Sequence, residues 1–187
     1  MRVISGKFGK RPLRAVPGRL TRPTTDKVKE SLFNIIGPYF NGGSFLDLFA
    51  GSGGVAIEAV SRGFNDATLV DKQYAAIKTI QQNVQMTNEA DRFTVIKTNA
   101  DLALQRLASA GKKFEMVFLD PPYKQEQMLA DLATLRELKL LTSGAMVICE
   151  TDNQAKLSDN VDGYQLVRQK EYGLTVISIY KYEMEAS

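Results

Sequence analysis

The chain has 187 residues, of which 44% are hydrophobic and 24% charged, and this length and composition suit one domain with one core. No apolar run reaches the roughly 18 residues that a membrane-spanning helix needs, and the basic N-terminus lacks the apolar stretch of a secretory signal. Histidine is absent and Cys149 is the only cysteine. We therefore expect a cytoplasmic protein with a buried reduced thiol, no disulfide and no metal site.

The N-terminal residues predict an arm followed by a helix. Residues 1–22 space glycines and prolines among short apolar pieces, which is typical of a small hairpin or extended arm that does not fold independently. Thr24 or Thr25 can cap a helix over residues 26–36, which ends at Gly37 and the proline after it. The apolar face expected for this helix consists of Val28, Leu32, Ile35 and Ile36.

Beyond residue 43, strands and helices alternate along the chain. Strands are expected at residues 44–49, 67–71, 93–97, 115–120 and 145–150, and helices at residues 54–62, 74–85, 101–110 and 125–135. Two further strands, 165–171 and 175–182, read as an antiparallel pair around Gly173. The alternation predicts an α/β fold with a mostly parallel seven-stranded sheet and helices on both faces. Ligands of such sheets bind beyond the carboxyl ends of the strands.

Charge is distributed unevenly along the chain. The net charge is +3, but residues 1–30 alone carry +7 and the remaining residues carry −4. A localised basic segment predicts a surface that binds a polyanion such as nucleic acid, and a solvated flexible tail is the alternative. The cations expected to contact phosphates are Arg2, Lys7, Lys10, Arg11, Arg14, Arg19 and Arg22.

A glycine-rich turn joins the first strand of the alternating region to the helix that follows. It reads Asp47-Leu48-Phe49-Ala50-Gly51-Ser52-Gly53-Gly54. Glycines let the backbone approach a ligand closely. Asp71 ends the next strand, twenty residues after Gly51, and an acid there can bind both ribose hydroxyls of an adenosine. Lys72, the next residue, belongs to the same predicted site.

Two cofactors compete for this turn. Residues 51–56 also satisfy the dinucleotide fingerprint, so a nicotinamide-dependent enzyme is an alternative. Asp47, however, lies four residues before Gly51, where a carboxylate would crowd a pyrophosphate but can hold the ammonium group of a methionine moiety. The chain also leaves little room for a separate substrate domain. The pattern therefore favours S-adenosylmethionine.

The third strand of the alternating region ends in Lys97-Thr98-Asn99-Ala100-Asp101. Asn99 or Asp101 can accept a hydrogen bond from the adenine amino group of an adenosine, and the residues do not decide between them. Either side chain can equally cap the next helix, and the two roles can coexist.

After the fourth strand of the alternating region comes Asp120-Pro121-Pro122-Tyr123. The two prolines fix the backbone and remove two amide donors, which leaves a carboxylate and carbonyls that only accept. Asp120 and the Pro121 carbonyl can therefore accept both N–H bonds of an amino group and direct its lone pair towards a methyl donor. Positioning and electrostatics dominate such a reaction. Tyr123 is expected to stack on a base that has left its helix.

The turn at 47–53 followed by Asp120-Pro121-Pro122-Tyr123 resembles the class I methyltransferases that modify exocyclic or amide nitrogens. Residues 2–6 and 21–35 closely resemble the RsmD-like bacterial 16S ribosomal RNA guanine-N2 methyltransferases, and the resemblance covers essentially the whole chain. It implies a Rossmann-like fold, with residues 1–22 as the arm and residues 23–187 as the methyltransferase domain. It also implies transfer of a methyl group from S-adenosylmethionine to a guanine N2 in partly assembled small ribosomal subunits. We further expect a monomer.

The resemblance further implies the arrangement of the site. Asp47, Phe49, Gly51 and Gly53 would line the methionine side, and Thr24 would lie near the cofactor. Asn99-Ala100 stands where family members usually have Asp-Ala, which removes a charge from the adenine contact. The expected cofactor-binding residues are Thr24, Asp47, Phe49, Gly51, Ser52, Gly53, Asp71, Lys72, Asn99, Ala100 and Asp101. The expected catalytic residues are Asp120, Pro121, Pro122 and Tyr123.

Two other functions compete with this interpretation. An amino methyltransferase for nucleic-acid adenine or protein glutamine would use the same loop. A glutamine enzyme would not need the basic arm, and a DNA adenine enzyme normally carries an added recognition domain. A cofactor-binding ribosome-assembly protein without catalysis is the second alternative, and the intact loop at 120–123 argues against it.

Overall fold

The computed structural model of the protein describes residues 1–18, 25–122 and 125–184. The chain separates into two compact units, Met1–Ala100 and Asp101–Ser187. Four predicted site residues, Arg19, Arg22, Thr24 and Tyr123, lie outside the described residues.

The first unit begins with the predicted arm. Its two ends run antiparallel, with a bridge between Arg2 and Pro12 and a backbone hydrogen bond of 2.9 Å from Val3 to Arg11. Helix α1 follows at Asp26–Ile36 and is capped by the Thr25 hydroxyl, which accepts a 3.3 Å hydrogen bond from the Val28 amide. The helix bounds are as predicted, but the buried residues are Lys29, Leu32 and Phe33. Of the expected apolar face, only Leu32 is buried, so the buried face of α1 is rotated from the predicted one.

Three parallel strands form the sheet of the first unit, in the order β3-β2-β1. They are β1 (Ser44–Asp47), β2 (Asp66–Asp71) and β3 (Phe93–Lys97). Helix α2 (Gly54–Ser61) joins β1 to β2, and helix α3 (Tyr74–Met86) with a 3₁₀ turn (Ala90–Arg92) joins β2 to β3. Because the strands are parallel, Asp47, Asp71 and Lys97 end at the same edge of this sheet.

The second unit begins with helix α4 (Ala100–Ser109), of which all but the first residue belongs to it, and is dominated by strands. Its elements are β4 (Phe114–Leu119), α5 (Gln125–Glu137), β5 (Leu141–Asp152), β6 (Asn160–Val161), β7 (Tyr164–Tyr172) and β8 (Thr175–Tyr182). The strand order is β4-β5-β8-β7-β6, in which only β4 and β5 pair in parallel. Tyr180 and Phe114 are among its largest fully buried side chains.

The predicted fold class is confirmed: the parallel strands are joined through helices, and antiparallel strands follow at the C-terminal end. The predicted number of strands is wrong, since the described residues form eight strands rather than seven. The additional strand β6 has two residues and is too short to show periodicity. Strand β5 begins at Leu141 rather than Ala145, because Leu141 already pairs with Phe114. An irregularity that includes Gly144, with a φ of +76°, separates this pair from the regular register that starts at Met146.

Candidate functional site

The glycine turn is closed against the end of β2. The Gly51 amide donates a 3.0 Å hydrogen bond to the Asp71 carboxylate, whose other oxygen accepts one of 2.9 Å from the Gln73 amide. Gly53 has a φ of +83°, and a Cβ there would lie 3.0 Å from Leu69 Cδ2. The backbone conformation therefore favours glycine at this position, and a Cβ would also need a small shift of the Leu69 side chain.

The remaining predicted cofactor residues of the first unit lie around the same edge. Asp47 ends β1 with only 1% of its surface exposed, whereas Phe49 and Ser52 are half-buried and Lys72 is exposed. Asn99 is exposed and precedes the first residue of α4, Ala100. The structure thus brings Asp47, the glycine turn and Asp71 together.

The predicted catalytic loop belongs to the second unit. The apolar strand β4 is buried over Val117, Phe118 and Leu119, and Asp120 follows it directly as a half-buried residue. Pro121 is buried and Pro122 is exposed. An apolar strand thus delivers one carboxylate to its carboxyl end, where ligands of α/β sheets bind. Asp101, the alternative to Asn99, lies exposed in the first turn of α4.

The basic arm contains cations of two kinds. Arg2 lies 3.8 Å from Asp26, and Lys7 forms an ion pair with Glu89. The Arg11 guanidinium donates two 3.0 Å hydrogen bonds to the Met86 and Thr87 carbonyls at the end of α3. These three cations, predicted to bind phosphate, therefore have partners within the protein.

Lys10 and Arg14 are different. Both are exposed, and among the residues that the structure describes their side chains have no hydrogen-bonding or ionic partner. Lys10 has a φ of +72°, which places it at the tip of the arm's turn. Two cations of the arm are thus available to an external anion.

A buried charge cluster, which the sequence did not reveal, holds the arm in place. Glu58 on α2 is fully buried and accepts hydrogen bonds from the Ile4 amide at 2.9 Å and the Ser5 amide at 3.1 Å. Arg62 Nε lies 2.8 Å and Lys29 Nζ 3.5 Å from its carboxylate oxygens. Burial lowers the pKa of Lys29, while the carboxylates of Glu58 and Asp26 oppose that shift. The i,i+4 spacing of Glu58 and Arg62 is the only signal of this cluster in the sequence.

Asn83 is a second residue that the sequence analysis did not identify. It is 2% exposed and lies on α3. Its amide oxygen accepts a 2.9 Å hydrogen bond from the Arg14 amide, and its amide nitrogen donates to the Arg14 carbonyl at 3.0 Å and the Ser52 carbonyl at 2.8 Å. One side chain therefore joins the arm to the glycine turn.

No helix within residues 1–18, 25–122 and 125–184 is long and apolar enough to cross a bilayer. Among the same residues, no group of three or more acidic or cysteine side chains is placed to hold a metal ion.

Comparison with solved structures identifies the fold. The solved structure of the Escherichia coli protein yhhF matches with a TM-score of 0.83 at 31% identity. The name of that structure suggests that yhhF is a methyltransferase. The match covers 99% of both chains. The fold is accordingly the Rossmann-like fold of the class I methyltransferases.

Two relatives narrow the assignment. Residues 1–181 match the family described as "Conserved hypothetical protein 95". The Bacillus subtilis protein YlbH is 45% identical over 97% of this chain and 98% of its own length. Its name suggests that YlbH is an rRNA methyltransferase. "Ribosomal RNA small subunit methyltransferase D" of Escherichia coli is 30% identical over 99% of this chain and 91% of its own length. The chain therefore belongs to the family that the model for residues 1–181 describes. This confirms the resemblance to the RsmD-like methyltransferases that the sequence motifs indicated.

Proposed function

We propose that the protein transfers the methyl group of S-adenosylmethionine to the N2 amino group of a guanine in 16S ribosomal RNA, within the partly assembled small subunit. The observation that carries the proposal is the half-buried Asp120 at the end of β4, followed by two prolines. Among its relatives, Escherichia coli methyltransferase D has a name that gives the small-subunit ribosomal RNA as substrate.

The first unit supports the cofactor part of the proposal. Its residues fit S-adenosylmethionine, because a buried carboxylate at Asp47 suits an ammonium group and the Asp71 carboxylate suits ribose hydroxyls. The positive φ at Gly53 and its close approach to Leu69 suit a tight turn whose backbone faces the cofactor. When bound, the cofactor supplies an electrophilic methyl group, and the residues of this edge orient it.

The second unit supports the acceptor part. A guanine amino group is a poor nucleophile because its lone pair is delocalised into the ring. Asp120 and the Pro121 carbonyl accept its two N–H bonds, which draws the nitrogen towards tetrahedral geometry and frees the lone pair. Asp120 also receives the proton that leaves the nitrogen after the transfer, unless water takes it directly. Tyr123, which lies outside the described residues, is proposed to stack on the base.

The experiment that tests this proposal follows a labelled methyl group. Wild-type protein and Asp120→Ala are incubated with labelled S-adenosylmethionine and small subunits from a strain that lacks the gene, and the RNA is digested to nucleosides. We expect labelled N2-methylguanosine with the wild type and a loss of at least about a hundredfold with the variant.

The other outcomes distinguish the alternatives. Label in N6-methyladenosine or in a ribosomal protein would assign the loop to a different amino group. Cofactor binding without any label in RNA or protein would favour the non-catalytic assembly role. Equal transfer by Asp120→Ala would contradict the proposed role of this carboxylate.

A further inference from the structure

An open groove of about 530 Å³ lies between the arm and helix α3 in the first unit. Pro12 and Arg14 line it from the arm, and Gln82, Asn83 and Gln85 line it from α3. The side chains of Arg14, Gln82 and Gln85 are exposed, so polar groups on both sides of the groove are available to a ligand.

The charge of the groove suits an anion. Helix α3 (Tyr74–Met86) contains a lysine and three glutamines but no acidic residue. The acid nearest in sequence, Glu89, is neutralised by Lys7 and lies 3.2 Å from Arg92. Arg14 is exposed and has no ionic partner among the described residues.

The groove is also pre-arranged. Asn83 bonds both the amide and the carbonyl of Arg14, which fixes the backbone at this position and leaves the guanidinium free to point outwards. A ligand that uses Arg14 therefore pays little conformational entropy in the backbone. The same Asn83 holds the Ser52 carbonyl at 2.8 Å, so the floor of the groove is continuous with the glycine turn.

The two glutamine amides beside Arg14 are compatible with RNA. Each amide donates and accepts, so Gln82 and Gln85 can pair with ribose hydroxyls or with the edges of unpaired bases. A guanidinium beside two such amides matches a chain that repeats a phosphate, a hydroxylated sugar and a base. The backbone of an acidic peptide could also pair with the two amides, so the choice of RNA rests on the proposed substrate.

We propose that this groove binds single-stranded RNA that flanks the target nucleotide, with a phosphate on Arg14 and ribose or base groups on Gln82 and Gln85. The inference rests on the proposed function, since it names where the RNA substrate is held. Because Asn83 connects the groove to the glycine turn, RNA in this position lies on the same unit as the cofactor residues.

The test compares two neighbouring glutamines of α3. Gln82→Glu places a negative charge in the groove, and Gln81→Glu places the same charge on an exposed residue that does not line it. Binding to deproteinised 16S RNA and the KM for small subunits are measured for both, with S-adenosylhomocysteine binding as the control for folding. We expect Gln82→Glu to weaken RNA binding and raise this KM roughly fivefold, while Gln81→Glu and both cofactor affinities stay at the wild-type level.

Arg14→Gln supplies the second measurement. Removal of one phosphate contact should make the negative slope of log K against log salt shallower by about 0.7, the value per contact for single strands. Equal effects of Gln82→Glu and Gln81→Glu, or an unchanged slope for Arg14→Gln, would overturn the groove proposal alone. An effect of Gln82→Glu on intact subunits that is absent with deproteinised RNA would assign the groove to a protein. A wild type that binds neither deproteinised RNA nor small subunits would refute both this inference and the proposed function.

Discussion

The two units differ in the interactions that stabilise each of them internally. Within the described residues, ten buried polar or charged residues belong to the first unit and four to the second. In the first unit they form directional bonds that join the arm, α2, α3 and the glycine turn. In the second unit the antiparallel strands pack around aromatic residues, with the hydroxyl groups of Tyr164 and Tyr180 bonded to the Leu132 and Ser158 carbonyls.

This difference relates structure to the proposed chemistry. The first unit must hold a turn and an arm in fixed positions, and buried hydrogen bonds specify position more narrowly than apolar contacts do. The second unit must present one carboxylate at the end of an apolar strand, which packing alone achieves. Polar substitutions should therefore cost most in the first unit.

The largest effect is expected at the buried charge cluster. Glu58→Gln removes the charge that pairs with Lys29 and Arg62, and a buried pair broken on one side typically costs about 3–5 kcal/mol. Urea unfolding of the wild type and the variant measures this change in the free energy of unfolding. Glu89→Gln, which breaks the exposed pair with Lys7, is the matched control and should change it little. Equal losses would show that the cluster does not secure the arm.

A smaller loss is expected at the bridge between the arm and the glycine turn. Asn83→Ala leaves the Arg14 and Ser52 backbone groups without their partner, which should cost about 2 kcal/mol. Because Ser52 belongs to the glycine turn, S-adenosylhomocysteine should also bind more weakly in a titration calorimeter. Gln82→Ala on the exposed face of the same helix should leave both quantities unchanged within about 0.5 kcal/mol.

In the second unit, a single buried carboxyl should produce a pH dependence. Burial raises the pKa of Asp131 from its ordinary value of 3.8 to about 7; the Gln127 hydrogen bond opposes the shift and Asp101 adds to it. Between these pH values the folded state keeps a proton that the unfolded state has released. Stability should therefore fall as the pH rises from about 4 to 7, by up to about 1.4 kcal/mol per pH unit.

Asp131→Asn tests this expectation, because the amide cannot ionise. Urea midpoints at pH 5, 6 and 8 should converge for the variant and decline with pH for the wild type. An identical decline in both proteins would assign the pH dependence to other groups.

The smallest effect separates the two kinds of arm cation. Arg11→Gln removes a guanidinium that bonds two carbonyls at the end of α3, and we expect a loss of about 1 kcal/mol in thermal unfolding. Arg14→Gln removes an exposed side chain and should not change the midpoint. A larger loss for Arg14→Gln would reverse the division between anchoring and available cations.

Periodicity and turn residues predicted the elements well, since helix α1 and strands β3 and β8 have the expected bounds. They failed where a charge is buried. The expected face of α1 contained Val28 and Ile35, but Lys29 is buried instead because Glu58 and the Arg2 carbonyl receive its ammonium group. Hydrophobicity patterns count a lysine as exposed and cannot anticipate a partner 29 residues away.

The site shows the same limit. The glycine turn, Asp71 and the loop at 120–122 follow from local motifs, so the sequence was sufficient to propose them. The anchoring role of Arg11 and the bridge at Asn83 depend on backbone carbonyls far along the chain, and any residue type supplies a carbonyl. Such contacts leave no pattern in the sequence.

The central claim is the proposal that Asp71 binds the cofactor and Asp120 the amino group, and two substitutions test it most directly. S-adenosylhomocysteine affinity and the turnover number on small subunits are measured for Asp71→Asn and Asp120→Asn. We expect Asp71→Asn to weaken cofactor binding while the turnover at saturating cofactor is largely kept. Asp120→Asn should keep the affinity and lower the turnover by at least about a hundredfold. A turnover near the wild-type value for Asp120→Asn, or an equal loss of cofactor affinity in both variants, would contradict the account.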